Sequence, residues 1–240
     1  MRRLAHLALT LLAAVATPCA AQTVVYEVVE EYEVSDAGSD RFVAAAPVQV
    51  PHGVARFGPF RVLDGKRAAL VDVTNERSPA AFSAMLAAYP GISALEMLEC
   101  PGTDDDRANL RLGRMIHARG LVTHVPKGGS VRSGAVELFL AGRRRTADSG
   151  AEFAVHSWAD NEGHEPRDFA MTAPENRYYL DYYHEMGMSP VEARAFYDMT
   201  NSVPNASAKW LNAAQMSQWV RLNQGEAKTG ESLDSRLALR

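Results

Sequence analysis

Residues 131–142 read VRSGAVELFLAG, and the reading of this stretch decides the rest of the chain. Ser133 and Gly134 lead into Ala135, Val136, Leu138, Phe139 and Leu140, an apolar run that predicts a buried helix with Ser133 at its amino end. Unpaired N–H groups and the positive end of the helix dipole stabilise negative charge at such a position, whether an attacking alkoxide or the oxyanion of a tetrahedral intermediate. A serine there is also a good N-cap, and on this segment alone that is the plainer reading. The flanking sequence has to separate the two.

Working outward, strand-like and helix-like segments alternate. Ala68–Val73 reads as a buried strand, and Pro79–Tyr89 as a helix with proline in its first turn. Leu95–Glu99 is a second strand, followed by the sharp turn Cys100-Pro101-Gly102-Thr103 and a helix over Asp104–Arg119. The acidic opening of that helix complements its dipole, and Gly120 ends it. A third strand, Leu121–Val125, leads through Lys127-Gly128-Gly129 to the Ser133 segment. Beyond Gly142 the chain is basic at Arg143–Arg145, loops past Gly150 and enters a short strand, Glu152–Val155, that delivers His156 at its carboxyl end. Strand-then-helix repetition predicts an α/β fold with a mostly parallel sheet, in which the strands around Leu70, Leu95, Val122 and Val155 lie side by side. Ligands bind at the carboxyl ends of strands in such sheets, which is where His156 falls. The helical remainder is well punctuated. A helix carrying Tyr178, Tyr179, Tyr182 and Tyr183 lies between Thr172 and Met186, Ser189-Pro190-Val191-Glu192 forms a capping box, and Asn212 with Gln215 repeats the device. The tyrosines are expected to pack rather than to bind.

Composition narrows the function. The chain has 240 residues, 47% hydrophobic and 22% charged, enough for one domain with a substantial core. Its formal net charge is −4, and losing Arg2 and Arg3 takes it to −6, so nothing points to nucleic acid or an anionic membrane. Those two arginines, the apolar Leu4–Ala16 and the small-residue exit Cys19-Ala20-Ala21 read as a secretory signal over residues 1–21, too short in its apolar part to span a bilayer. A periplasmic or secreted chain beginning at Gln22, without a transmembrane span, is expected. It would keep one cysteine, Cys100, and so form no internal disulfide. Residues 22–55 read as an arm and linker with one strand-like stretch, 56–222 as the main domain and 223–240 as a frayed tail. His52, His117, His124, His164 and His184 show no metal-ligand spacing, and no metal or cofactor is expected.

With these residues in view, the chain resembles the proteolytic subunit of the Clp protease and its relatives in the crotonase superfamily, in particular exported ClpP-like proteins of bacteria. The likeness rests on Ser133 opening a helix that ends in Ala141-Gly142, on His156 two dozen residues later, on the Cys-Pro-Gly turn after a strand, on Phe139–Gly142 and on Trp210-Leu211. It covers roughly residues 56–222. The resemblance implies a ClpP/crotonase-like βαβ superhelix, Ser133 as nucleophile, His156 as general base, and an oxyanion hole built from backbone N–H groups of Gly102, Thr103 and Gly134. Serine needs such a base, being a weak nucleophile at its free pKa.

The pattern also departs from the family. Thr103 stands where a second glycine is usual, and a β-branched residue resists positive φ. No carboxylate occurs near Asn205–Ala208, where the third catalytic member is expected. Asp198 is the nearest acidic substitute, and Asn201 or Asn205 could orient an imidazole instead. The implied function is a periplasmic serine hydrolase, peptidase-like, acting on a peptide or small ester or amide, with self-association as the partner relation the likeness allows. The alternatives are a catalytically silent binding or assembly module, and a Ser-Lys variant using Lys127 or Lys209. Acyl-CoA chemistry is disfavoured, because an exported protein meets no CoA.

Overall fold

The computed structural model describes residues 48–223; the expected leader, most of the arm and nearly all of the tail lie outside them. Ten strands fall into two sheets. The larger has the order β1 (Ala55–Phe57), β2 (Phe60–Val62), β3 (Arg67–Leu70), β4 (Ala94–Met97), β6 (Val122–Val125) and β8 (Arg144–Ala147). The smaller has β10 (Lys209–Asn212), β9 (Glu152–Val155), β7 (Ser130–Arg132) and β5 (Glu99–Cys100). The pairs β3–β4, β4–β6, β6–β8, β5–β7 and β7–β9 are parallel, and only the flanking pairs β1–β2, β2–β3 and β9–β10 are antiparallel. The fold is therefore α/β with mostly parallel pairing.

The chain winds by a repeating step. It lays one strand in the larger sheet, crosses to lay one in the smaller, and in the first two steps returns through a helix. These steps are β4, β5 and α2 (Asp106–Arg119); then β6, β7 and α3 (Ala135–Leu140); then β8 and β9. Two expectations are corrected here. The Leu95–Glu99 segment is not one strand, because the chain leaves the larger sheet at Leu98, whose side chain packs with Ala69 and Val71 away from the main core. The Val155 strand belongs to the smaller sheet and not beside Leu70, Leu95 and Val122; that place is taken by β8, in the segment expected to loop. Arg144 can be exposed there because β8 is an edge strand. Arg145 donates through Nε to Leu140 O at 2.7 Å and through Nη2 to Met186 O at 2.7 Å, so it closes a carbonyl at the end of α3.

The helical expectations hold with small shifts. Helix α1 spans Ser78–Ala88. In α2 the Asp105 side chain accepts from Ala108 N at 2.9 Å, and Gly120 terminates the helix in the left-handed conformation. Helix α4 (Pro174–Glu185) carries the tyrosines, α5 (Pro190–Thr200) opens on the Ser189–Glu192 capping box, and α6 (Ala213–Met216) on the Asn212–Gln215 box. Every residue of α3 is buried, and Phe139 packs on Phe153 of β9 with ring centroids 5.0 Å apart. This short helix is thereby clamped between the smaller sheet and α4, where Tyr182 donates to Glu137 O at 2.6 Å. Among the described residues, no helix is long and apolar enough to cross a membrane.

Candidate active site

Strands β5, β7 and β9 run parallel in adjacent positions, and their registers bring the segments just past their carboxyl ends side by side. Cys100 pairs with Val131, and Arg132 with Ala154. The Pro101-Gly102-Thr103 turn, the Ser133-Gly134 step and His156 therefore leave three neighbouring carboxyl ends together, the edge at which such sheets bind ligands. The bonding continues past the last strand pair, since Ser133 N donates to Ala154 O at 2.9 Å.

Ser133 is two residues ahead of α3, in a turn of its own. Its φ of +49° is the only positive value at a non-glycine position among the described residues. Left-handed backbone at a side-chain-bearing residue is held against a local energetic preference, and such positions concentrate at functional sites. The turn brings the side chain against Gly102. A Cβ on Gly102 would stand 3.0 Å from Ser133 Cβ and 3.4 Å from its Oγ. Gly102 itself has φ +140°, while Thr103 is absent from the positive-φ set. The glycine alone takes up the turn, so a β-branched residue at 103 meets no backbone conflict.

Two buried polar residues not anticipated from sequence brace this arrangement. Thr74 donates from N to Gly102 O at 3.1 Å and from Oγ1 to Asn109 Oδ1 at 2.9 Å. Asn109, from α2, donates through Nδ2 to Gly134 O at 2.5 Å. The Thr103 hydroxyl returns to Thr74 O at 3.1 Å. The Gly102 and Gly134 peptides are thus tied through their carbonyls to one Thr–Asn pair. Among the described residues, the N–H groups of Gly102, Thr103 and Gly134 make no backbone hydrogen bond. A buried Thr and a mid-helix Asn, 35 positions apart, carry no local sequence signal.

Ser133, Gly134, Thr103, His156 and Asn205 share a pocket of about 180 Å³. No hydrogen bond joins Ser133 Oγ to the imidazole. His156 Nδ1 lies 2.8 Å from Ser157 O, which can only accept. A carbonyl partner requires a proton on Nδ1, so in the neutral ring the lone pair is on Nε2. Asn205 Nδ2 donates to the same carbonyl at 2.8 Å; it stands 3.3 Å from His156 Nδ1, but two N–H donors do not bond, so it reaches the ring through the shared carbonyl.

The other candidates lie elsewhere. Asp198 points away on α5, where Arg194 Nε meets its two oxygens at 2.8 and 2.9 Å. It lines a neighbouring pocket of about 300 Å³ that shares only Asn201 with the first. Asn201 is occupied locally, donating to Tyr197 O at 2.8 Å. Neither Lys127 nor Lys209 lines the Ser133 pocket, and Lys209 Nζ donates to Ser202 Oγ at 3.3 Å. Asp160, Glu162 and His164 could offer a metal three ligand atoms, but all three are exposed, and Asp160 already accepts from the Glu162 and His164 amides.

Two carboxyls in the pocket escaped the sequence reading. Asp106, in the first turn of α2, has its pKa raised by burial, against the pull of the Tyr179 hydroxyl; Asp105 adds to the rise and His156 opposes it. Glu137, one turn into α3 from Ser133, is only 7% exposed. Burial pushes it up to about 7, with the Tyr183 hydroxyl, which donates to Oε1 at 2.7 Å, working in the opposite direction. The folded chain holds this proton up to about pH 7, whereas an unfolded glutamate releases it near its ordinary 4.5. Glu137 should therefore subtract stability progressively as pH rises from 4.5 to 7, by about 3 kcal/mol over the whole window. Glu137→Gln, which keeps an acceptor for Tyr183, should abolish that part of the slope and be the more stable protein at pH 8. Denaturant midpoints across the window test this, and parallel profiles for the two proteins would refute it.

No family model matches the sequence, and no curated protein matches it. Among solved structures, the chain is similar to a mutant of the 1510-N membrane-bound stomatin-specific protease in complex with a substrate peptide. The identity is 13%, covering 61% of this chain and 70% of that one, with a TM-score of 0.41. A mutant of ClpP1 from Listeria monocytogenes is 16% identical over 65% of this chain and 88% of that one, with a TM-score of 0.44. A second mutant of the stomatin-specific protease is 14% identical over 63% and 74%, with a TM-score of 0.41.

Proposed function

We propose that this chain is an exported serine hydrolase, peptidase-like, that works by acyl transfer through Ser133 with His156 as general base. The observation that carries the reading is the register of β5, β7 and β9. It sets a left-handed serine against a positive-φ glycine and leads a histidine, its Nδ1 on the Ser157 carbonyl, into the same pocket. The Ser133 Oγ attacks the carbonyl carbon of an ester or amide while its proton passes to His156 Nε2. That proton then goes to the leaving amine or alcohol as the acyl bond breaks. A water, activated by the same nitrogen, hydrolyses the acyl-serine and restores both groups. The N–H groups of Gly102, Thr103 and Gly134, free of backbone partners, supply donors for the oxyanion. No hydrogen bond joins serine and imidazole in this structure, and catalytic hydrogen bonds commonly close only around substrate.

The Ser157 carbonyl, itself held by Asn205, orients the imidazole, the part for which sequence offered Asp198, Asn201 or Asn205; a neutral partner fixes the tautomer but stabilises the imidazolium less than a carboxylate does. A periplasmic or secreted location is inferred from the leader-like residues 1–21.

The test is a fluorophosphonate probe applied to the purified protein at neutral pH. Covalent labelling of wild type, lost in Ser133→Ala, is the expected result. An intact fold that takes no label, or a Ser133→Ala protein that labels equally, overturns the reading in favour of a binding or assembly module.

A further inference from the structure

The Ser133 pocket has an inner end that the acyl-transfer step does not use. Glu137 lies in the first turn of α3, four residues beyond Ser133, and both line this pocket. Its carboxyl is more than nine-tenths buried yet lines the pocket. Tyr183 donates to Oε1 at 2.7 Å, and Glu137's own backbone N–H also donates to the carboxyl. Asp106 enters from α2, and its carboxyl faces the Tyr179 hydroxyl. No lysine or arginine lines the space. Trp158 and Tyr179, stacked with centroids 6.2 Å apart at an interplanar angle of 16°, add aromatic faces to the wall. The volume, about 180 Å³, is below the roughly 300 Å³ at which pockets begin to take a whole drug-sized ligand, and suits one side chain.

Resting on the acyl-transfer reading above, we infer that this pocket selects a substrate side chain ending in a cationic N–H group, an ammonium or a guanidinium, which Glu137 and Asp106 receive. Three features point to such a group: two carboxyls in the pocket wall, aromatic faces and no lysine or arginine of the protein's own. A positive donor pairs with the carboxyls, draws the more deeply buried one into its ionised form and stacks against the rings. An apolar side chain of equal length would take both carboxyls out of water without offering them a donor, and a carboxylate would place a third acid beside two. Selection therefore works partly by rejection: the site's own polar groups penalise the wrong occupant.

The experiment compares peptidyl aminocoumarin substrates that differ only in the residue before the scissile bond: lysine, arginine, norleucine or glutamate. At pH 8 the purified wild type should favour lysine or arginine over norleucine in kcat/KM by roughly 10- to 100-fold, the range of a charged hydrogen bond, and glutamate should be the poorest. In Glu137→Gln the lysine-to-norleucine ratio should collapse toward one, and in Asp106→Asn it should fall less; each variant is checked for fold by its melting profile. If fluorophosphonate labels Ser133 but wild type prefers norleucine or discriminates by less than about twofold, the inference is wrong while the hydrolase stands. The same holds if the ratio survives unchanged in both variants. If wild type takes no label at all, the acyl-transfer reading itself falls, and the selectivity with it.

Discussion

His156→Ala is expected to lower kcat/KM by several orders of magnitude, and the Ser133→Ala/His156→Ala double variant to be scarcely worse than either single one. The reason lies in how the two groups are held. His156 comes directly after β9, its Nδ1 is fixed on Ser157 O, and its only free basic nitrogen is Nε2. Without it no basic nitrogen is left in the pocket for the Ser133 proton, since no lysine lines it and burial holds its two carboxyls, Asp106 and Glu137, toward their protonated forms. Residues that act as one unit lose their contribution once, so free energies from the single variants should sum to far more than the double shows. Asn205→Ala should be milder, on the order of tenfold, because Ser157 O still sets the tautomer. The measurement is steady-state turnover of one peptidyl or ester substrate across the wild type and these variants. Strictly additive losses would mean that serine and histidine do not act together.

The parts of this site that could be read from sequence are those carried by local chemistry. Ser133 announced itself by position before an apolar run, His156 by its place after a short strand, and Gly102 by the Pro-Gly turn. The element that joins them was hidden. Strands β5 and β7 are two and three residues long, too short to show a period of two, so the sheet that assembles the site was legible only in β9, while β3, β4 and β6 of the larger sheet were visible. Asp198 was reached by counting downstream for a carboxylate, but an i,i+4 arginine on the same helix face claims it. Asn205, which sequence offered only as an alternative, is the one that lies beside His156, on a loop whose path the sequence does not fix. Thr74, Asn109, Asp106 and Glu137 meet only through the fold. Glu137 in particular sits in the quoted motif itself, where burial on α3 rather than residue type makes it unusual.

Gly102→Ala is the other substitution with a large expected effect, and it probes the backbone rather than a catalytic side chain. At φ +140° an alanine is strained, at a cost of about 1–3 kcal/mol. Its Cβ would also press on Ser133 Cβ at 3.0 Å, in a turn that Thr74 holds on the other side. Relief can come only by rotating the 101–103 peptides or displacing the serine, and either one moves the N–H groups proposed as oxyanion donors relative to Ser133 Oγ. Losing one such donor lowers turnover by about 10²–10³-fold, so kcat/KM and the labelling rate should both drop by that order while the protein stays folded. Gly134→Ala reaches a similar end by another route. Its φ of −55° suits alanine, yet the new Cβ would meet Thr103 Cγ2 at 2.5 Å. Thr103→Ser removes that methyl and keeps the hydroxyl that bonds Thr74 O, so adding it to Gly134→Ala should recover part of the lost rate, whereas adding it to Gly102→Ala should recover none. Circular dichroism and single-turnover labelling of the five proteins, wild type included, separate the cases. A folded Gly102→Ala protein with near-wild-type turnover would place the developing negative charge somewhere other than this turn.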